Sequence, residues 1–416
     1  MKEENIMKEE KRQKLLIFMC WLIYVVSYVS RYSYNANIVA IKDYYGVTNS
    51  VTGLVGTCFF FAYGVGQVIN GFLCKKYNKK FFLSLPLLIS ASINFYLFTI
   101  PPIFVYKYLW LINGLCLSVL WSLLILTLSE NLDEKHLMGA MIVMSSPVAT
   151  GTVIIYGASS LFILFNGFKY SFLLGGIAAG TVAVIWFFAC DKLIVKASSG
   201  TVSEEGESNR VKNKEDVFVV VTLVIFGIFM IVGNLVKDGL NVWVPQILKD
   251  TYGFGDSLSI ILTLALPLLG FFGAMFIVVL NKIIKNGVLL NGLLFAVSAV
   301  CVFGVMILLK TNCYAIVIVL FGLLSLLMHT ISTFIVSFVP LKLRDNFNSG
   351  LLAGVLNGCG YVGSTISSYG LGVIADKSGW NGVFVLLTIL CISVVIISLL
   401  FAVIGREKPN AKKREI

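Results

Sequence analysis

The chain has 416 residues, 58% of them hydrophobic and only 13% charged. So little charge cannot cover the surface of a water-soluble domain of this length, which excludes the soluble classes and leaves an integral membrane protein. The net charge of +11 invites a nucleic-acid partner, an idea that the placement of the charges rejects.

A bilayer core of about 30 Å takes about 20 apolar residues per helix, and runs of that length recur along the chain. In order, the predicted helices cover 15–40, 51–73, 81–102, 105–129, 137–166 and 169–191, then 217–247, 257–281, 287–309, 314–340, 349–374 and 380–404. The first run follows a basic start, as a signal peptide would. It is too long for one, lacks a small-residue cleavage site and carries Arg31, so it reads as a retained helix. The alternating segments of a β-barrel, about 10 residues each, do not occur. Between the two sets of six lies "KASSGTVSEEGESNRVKNKED" (Lys196–Asp216), whose Ser, Gly and Glu content reads as a flexible linker. The expectation is an all-α integral membrane protein of twelve transmembrane helices. A six-helix bundle covers 1–195, a cytoplasmic linker 196–216, and a second six-helix bundle 217–416.

With this topology, 24 of the 32 Lys and Arg fall at the termini and in the loops on the same side, against six on the other side. Cytoplasmic loops collect Lys and Arg, so both termini are expected inside. The basic balance is topology, and no nucleic acid is implied. Nine cysteines lie mostly in apolar spans without a CxxC pair, and there are two histidines. Disulfide frameworks, metal sites and cofactors are not expected.

Two phrases repeat. Aligning Arg31 with Lys237 sets "RYSYN" against "KDGLN" and Asn35 on Asn241; one inserted residue later "IKDYYG" (Ile41–Gly46) meets "LKDTYG" (Leu248–Gly253). Both stretches close the first helix of a six-helix half. The second half reads as a parallel copy of the first, the arrangement seen in major facilitator transporters, where substrate binds near the midplane between the halves.

A cation in a helix centre costs about 2.5–3.5 kcal/mol on insertion scales and marks function by default. Tyr24, Tyr28, Arg31 and Asn35 follow helical spacing on one face, as do Asn234, Lys237 and Asn241. Two cations among neutral donors suit a small anion, with the guanidinium fork gripping phosphate or carboxylate oxygens. The competing account makes Arg31 a structural partner of Asp238. Only Asp238 among the carboxylates sits well inside a span. Anion exchange needs no titratable relay, so exchange is favoured over proton symport, for which Asp238 or His329 could serve. His329 in "LLMHTISTF" is either a packing histidine or a substrate contact. Gly64 and Gly71 in the second helix, and Gly350, Gly354 and Gly358 in the eleventh, read as close-packing stripes. Tyr361, Ser364 and Thr365 either line a cavity or pack.

The chain resembles the organophosphate:phosphate antiporters, the family of glycerol-3-phosphate and hexose-phosphate carriers. "YVSRYSYNANI" looks like that family's first-helix motif, with Arg31 at the phosphate-gripping arginine. "FFFAYGVGQVINGFL" is similar to its second helix, and "GLNVWVPQILKDTYGF" to its seventh, which puts Lys237 where the family has a second arginine. "GVLNGCGYVGSTISSYGLGVIADKSGWNGVF" resembles its eleventh helix and the turn into the twelfth. Gln67 stands where glycerol-phosphate carriers have a lysine, and Ser146 where they have a histidine. "GFLCKKYNKK" looks like the major facilitator loop signature, but Lys75 replaces its acidic residue.

The resemblance implies a carrier, not an enzyme, that exchanges a phosphate ester for inorganic phosphate across the cell membrane as a monomer. Arg31 and Lys237 would hold the phosphoryl group, with Tyr28, Asn35, Gln67, Asn241, Tyr361 and His329 around the substrate. The alternatives are a carrier for another organic anion, or a transporter-like sensor of phosphate esters.

Overall fold

A computed structural model describes residues 2–165, 167–194, 214–343 and 349–406; the predicted linker lies outside them up to residue 213. The first half holds α1 (Lys2–Asn35), α2 (Ile38–Tyr45), α3 (Asn49–Leu73), α4 (Lys79–Phe98), α5 (Ile103–Leu117), α6 (Leu120–Asn131), α7 (Glu134–Val143), α8 (Pro147–Leu164) and α9 (Lys169–Leu193). The second holds α10 (Lys214–Tyr252), α11 (Asp256–Leu262), α12 (Ala265–Gly270), α13 (Gly273–Ile283), α14 (Gly287–Leu308), α15 (Tyr314–Thr333), α16 (Val339–Lys342) and α17 (Ser349–Arg406).

Eleven stretches of the described residues are long and apolar enough to cross a bilayer. The last of them, Leu351–Phe401, contains Gly379 at φ 68° and ψ 179°, where the helix breaks and the chain turns. Glycine alone takes that positive φ without strain. The break divides this stretch in two and completes the twelve crossings of an all-α membrane protein. Phe165, Phe188, Ile283 and Val300, each more than 70% exposed, form part of an apolar outer surface that suits lipid rather than water.

Several crossings are broken where a single helix was expected. The fourth breaks between α5 and α6, the fifth at Met144–Ser146 before Pro147, and the tenth passes through a π-helical turn over Phe334–Phe338. Proline lacks the N–H and crowds the preceding turn, which accounts for the break before Pro147. The third helix stops at Phe98 rather than residue 102 because Pro101 and Pro102 push the chain out of the helical region.

The repeated phrase has a repeated conformation. Gly46 and Gly253, which end its two copies, have φ 61° and 65°. Both supply the left-handed residue that follows a helix end.

The described residues fall into two compact units, Met1–Ala40 with Ala62–Gly206, and Ile41–Phe61 with Glu207–Ile416. In the first, α1 packs on α4, α8 and α9. One face of α1 is a hydroxyl row. Ser33 Oγ donates to Asn94 Oδ1 at 2.7 Å, and Ser30 Oγ accepts from Ser90 at 3.0 Å. In the second unit α10 packs on α17 and α15. A side chain at Gly363 would meet the Ile231 carbonyl at 2.0 Å, so that glycine sets the approach of α17 to α10. The predicted glycine stripes are corrected at two positions: Gly71 and Gly354 face open space, whereas Gly53, Gly56, Gly66, Gly360, Gly363 and Gly372 on the same helices are tight.

Candidate functional site

The polar stripe expected on α1 is buried, and Arg31 is only 5% exposed. Burying a guanidinium is costly unless it finds compensating partners. Here it meets aromatic faces. Its central carbon lies 4.9 Å from the ring centre of Tyr28, 5.2 Å from Tyr32 and 4.9 Å from Tyr63 on α3. All three are within cation–π reach. The rings brace one another: Tyr24 meets Tyr28 edge-on at 5.2 Å, and Tyr28 meets Tyr32 at 5.3 Å. Gln67 donates to the Tyr63 hydroxyl at 3.4 Å, so it supports the ring. Asn35 is buried at the end of α1.

This cluster joins Arg31, Tyr28 and Gln67 of the predicted set and adds Tyr32 and Tyr63. A guanidinium set among ring faces can grip carboxylate or phosphate oxygens through the planar fork of its N–H groups. Tyr32 escaped notice because it lies about 100° around the helix from Arg31, although it follows Tyr28 by one turn. Tyr63 comes from another helix, and its one sequence signal is its place a turn before Gln67.

The second unit carries its own charged cluster. Lys237 Nζ lies 3.8 Å from Asp238 Oδ1, and Ser364 donates to Asp238 Oδ2. One turn earlier, Asn234 accepts from Ser332 Oγ at 3.1 Å. Its amide faces Gly360 so closely that any side chain there would meet it at 2.2 Å. His329 donates from Nδ1 to the Ser325 carbonyl at 2.9 Å and packs against Gly270 and Gly273. That is the setting of a packing histidine. Asn241 and Tyr361 are half-buried on α10 and α17. Sequence spacing found Lys237 and Asp238 but not the Asn234–Ser332 pair.

Two further positions bear on the resemblance. Ser146 accepts from Trp21 Nε1 at 2.9 Å, which gives it a packing partner. The Lys75 side chain lies outside the described residues. After it, Lys79 pairs with Glu130 and Lys80 with Asp191, tying the start of α4 to the ends of the fourth and sixth crossings. Among the described residues, no group of three or more His, Cys, Asp or Glu could hold a metal.

Residues 20–349 match the family profile described as Major Facilitator Superfamily. Among curated proteins, the chain is 26% identical over 99 residues to the membrane sensor protein UhpC of Escherichia coli, covering 24% of this chain and 23% of that one. It is 23% identical over 113 residues to a probable hexose phosphate transport protein of Chlamydia pneumoniae, covering 27% and 25%. The match thus spans about a quarter of those relatives' length. Among solved structures, a D-xylose-proton symporter aligns at TM-score 0.72 with 11% identity, covering 96% of this chain and 99% of that one. A bacterial homolog of the human lysosomal transporter Spinster, inward-facing and occupied, aligns at 0.69 with 14% identity, covering 96% and 98%. At such identities the structural likeness speaks for the fold alone.

Proposed function

Because this chain belongs to the Major Facilitator Superfamily, and so is a multi-pass membrane transporter by family, we propose that it exchanges an organic phosphate ester for inorganic phosphate by alternating access. The ester would be glycerol-3-phosphate or a hexose phosphate. One observation carries the reading: Arg31 is buried among Tyr28, Tyr32 and Tyr63 in an apolar helix, and a cation inside a membrane span marks function by default. Arg31 grips the phosphoryl oxygens and Lys237 supplies a second positive charge. Tyr28, Asn35, Gln67, Asn241, Tyr361 and His329 shape the remainder. The protein works as a monomeric carrier in the cytoplasmic membrane with both termini inside, and it performs no catalysis.

The hexose phosphate transport protein of Chlamydia pneumoniae among its relatives supports this substrate class. A second reading follows from the similarity to a membrane sensor protein: the same site would bind a phosphate ester and report it rather than move it. A third follows from the second unit, where Asp238 lies 3.8 Å from Lys237 and, with His329, would suit a proton-coupled organic-anion carrier. Arg31→Ala tests the first reading. The variant should insert normally and lose exchange, whereas full exchange would remove Arg31 from the site.

A further inference from the structure

We propose that Asp376 is a positioning residue for transport. Its carboxylate caps the start of α3 and latches that helix onto the eleventh crossing, on the membrane side away from the chain's start, and the latch opens once in each cycle. This rests on the carrier reading above.

The first N–H groups of a helix have no partner within it and carry partial positive charge. At the start of α3 they are met from afar. Asp376 Oδ1 accepts from the Asn49 N–H at 3.0 Å and Oδ2 from the Ser50 N–H at 2.8 Å. The residue placed to cap this helix locally, Thr48, is instead hydrogen-bonded to Ser50 Oγ at 2.8 Å. The cap is therefore a bond between two distant parts of the chain. Because Asp376 is exposed, water can replace it when it lets go.

The same two helices meet along a polar seam below the cap. Ser368 Oγ donates to the Gly53 carbonyl at 2.9 Å. Thr57 Oγ1 donates to the Thr365 carbonyl at 2.7 Å and accepts from the Tyr369 N–H at 3.0 Å. A side chain at Gly53 would meet the Ser368 carbonyl at 2.3 Å, and one at Gly372 the Asn49 carbonyl at 2.8 Å, so backbone lies nearly on backbone. α3 brings Gly53 and Thr57 to this seam, and the buried Trp243 of α10 lies against Gly53 and Gly372 and donates to the Ser368 carbonyl at 3.2 Å. Glycines and single hydrogen bonds leave few large side chains to disentangle between these two helices, and water can take over the exposed bonds at the cap, so the seam suits surfaces that part and rejoin. α3 runs unbroken from Asn49 to Leu73, so the helix held by Asp376 is the one that carries Tyr63 and Gln67.

The test uses the full-length protein in liposomes with the pair Thr57→Cys and Tyr369→Cys. Oxidation should slow exchange at least about 10-fold and reductant should restore it, while the protein without the pair is unaffected. In the same background, Asp376→Asn should slow disulfide formation about 5-fold, as expected for a weakened cap, and Asp376→Glu should restore it. Asp376→Asn should also move the two apparent KM values in opposite directions, lower from the latched side and higher from the other. A merely structural lesion would impair both. Ser368→Ala, which leaves the cap untouched, should slow cross-linking in the same sense. Full exchange by the cross-linked protein, or cross-linking indifferent to both Asp376→Asn and Ser368→Ala, would overturn the latch. Cross-linking is read without substrate, so it judges the latch even if no ester is exchanged.

Discussion

The guanidinium carbon of Arg31 lies 4.9 Å from the ring centre of Tyr63, which reaches it from a different helix. This contact separates the ring's contribution from that of its hydroxyl. Tyr63→Phe keeps the face and loses only the group that accepts from Gln67, so KM should change by no more than about 3-fold. Tyr63→Ala removes the face. A desolvated cation–π contact is worth about 1–2 kcal/mol, so KM should rise about 5- to 30-fold. Exchange kinetics in liposomes read both, and equal effects would assign the role to the hydroxyl.

Lys237 and Asp238 form a loose pair at 3.8 Å, with Ser364 on the other carboxylate oxygen. Lys237→Ala would leave the buried Asp238 short of its cation, at a cost of roughly 1–3 kcal/mol. The double variant Lys237→Ala/Asp238→Asn should recover most of the lost thermal stability while remaining inactive. No recovery would show that the two charges do not depend on each other.

Gly363 and Gly354 lie on the same helix with opposite surroundings. Gly363→Ala would press a methyl onto the Ile231 carbonyl, an overpacking that costs about 1–3 kcal/mol. Gly354→Ala points into open space and should be neutral or slightly stabilising, since alanine favours helix. Melting temperatures in detergent decide between them.

At the start of α7, the Asp133 carboxyl is held below the usual carboxylate range, chiefly by the backbone N–H of His136 at 2.8 Å and also by its ring. A lowered native value means that the contribution is complete above the ordinary range and lost as pH falls through the native one. Protection of the His136 amide from hydrogen exchange, corrected for intrinsic rate, should persist through the ordinary carboxylate range and fade only below it. Asp133→Asn should lose this pH dependence. Fading already within the ordinary range would contradict the assignment.

Hydropathy alone revealed the crossings, because each apolar run must span the same thickness of lipid. It could not show that the fifth and tenth crossings are broken, since turns inside an apolar run leave the composition unchanged. Arg31 and Lys237 were legible because charge is scarce in such surroundings. Tyr63 and Ser332 were not, and Ser364 was singled out without its partner Asp238, because each meets its partner from another helix and helical spacing reports neighbours only along its own helix. The glycine repeat misled at Gly71 and Gly354 for the same reason. A four-residue repeat shows which face a glycine lies on, not whether a helix faces it, as Gly354 and Gly363 demonstrate.

The most direct measurement uses the purified protein in liposomes loaded with labelled inorganic phosphate, with glycerol-3-phosphate, hexose phosphates or their unphosphorylated analogues offered outside. The carrier reading predicts phosphate efflux that requires an external phosphate ester and is lost in Arg31→Ala. Efflux that is indifferent to the ester, or absent with every ester offered, would contradict it.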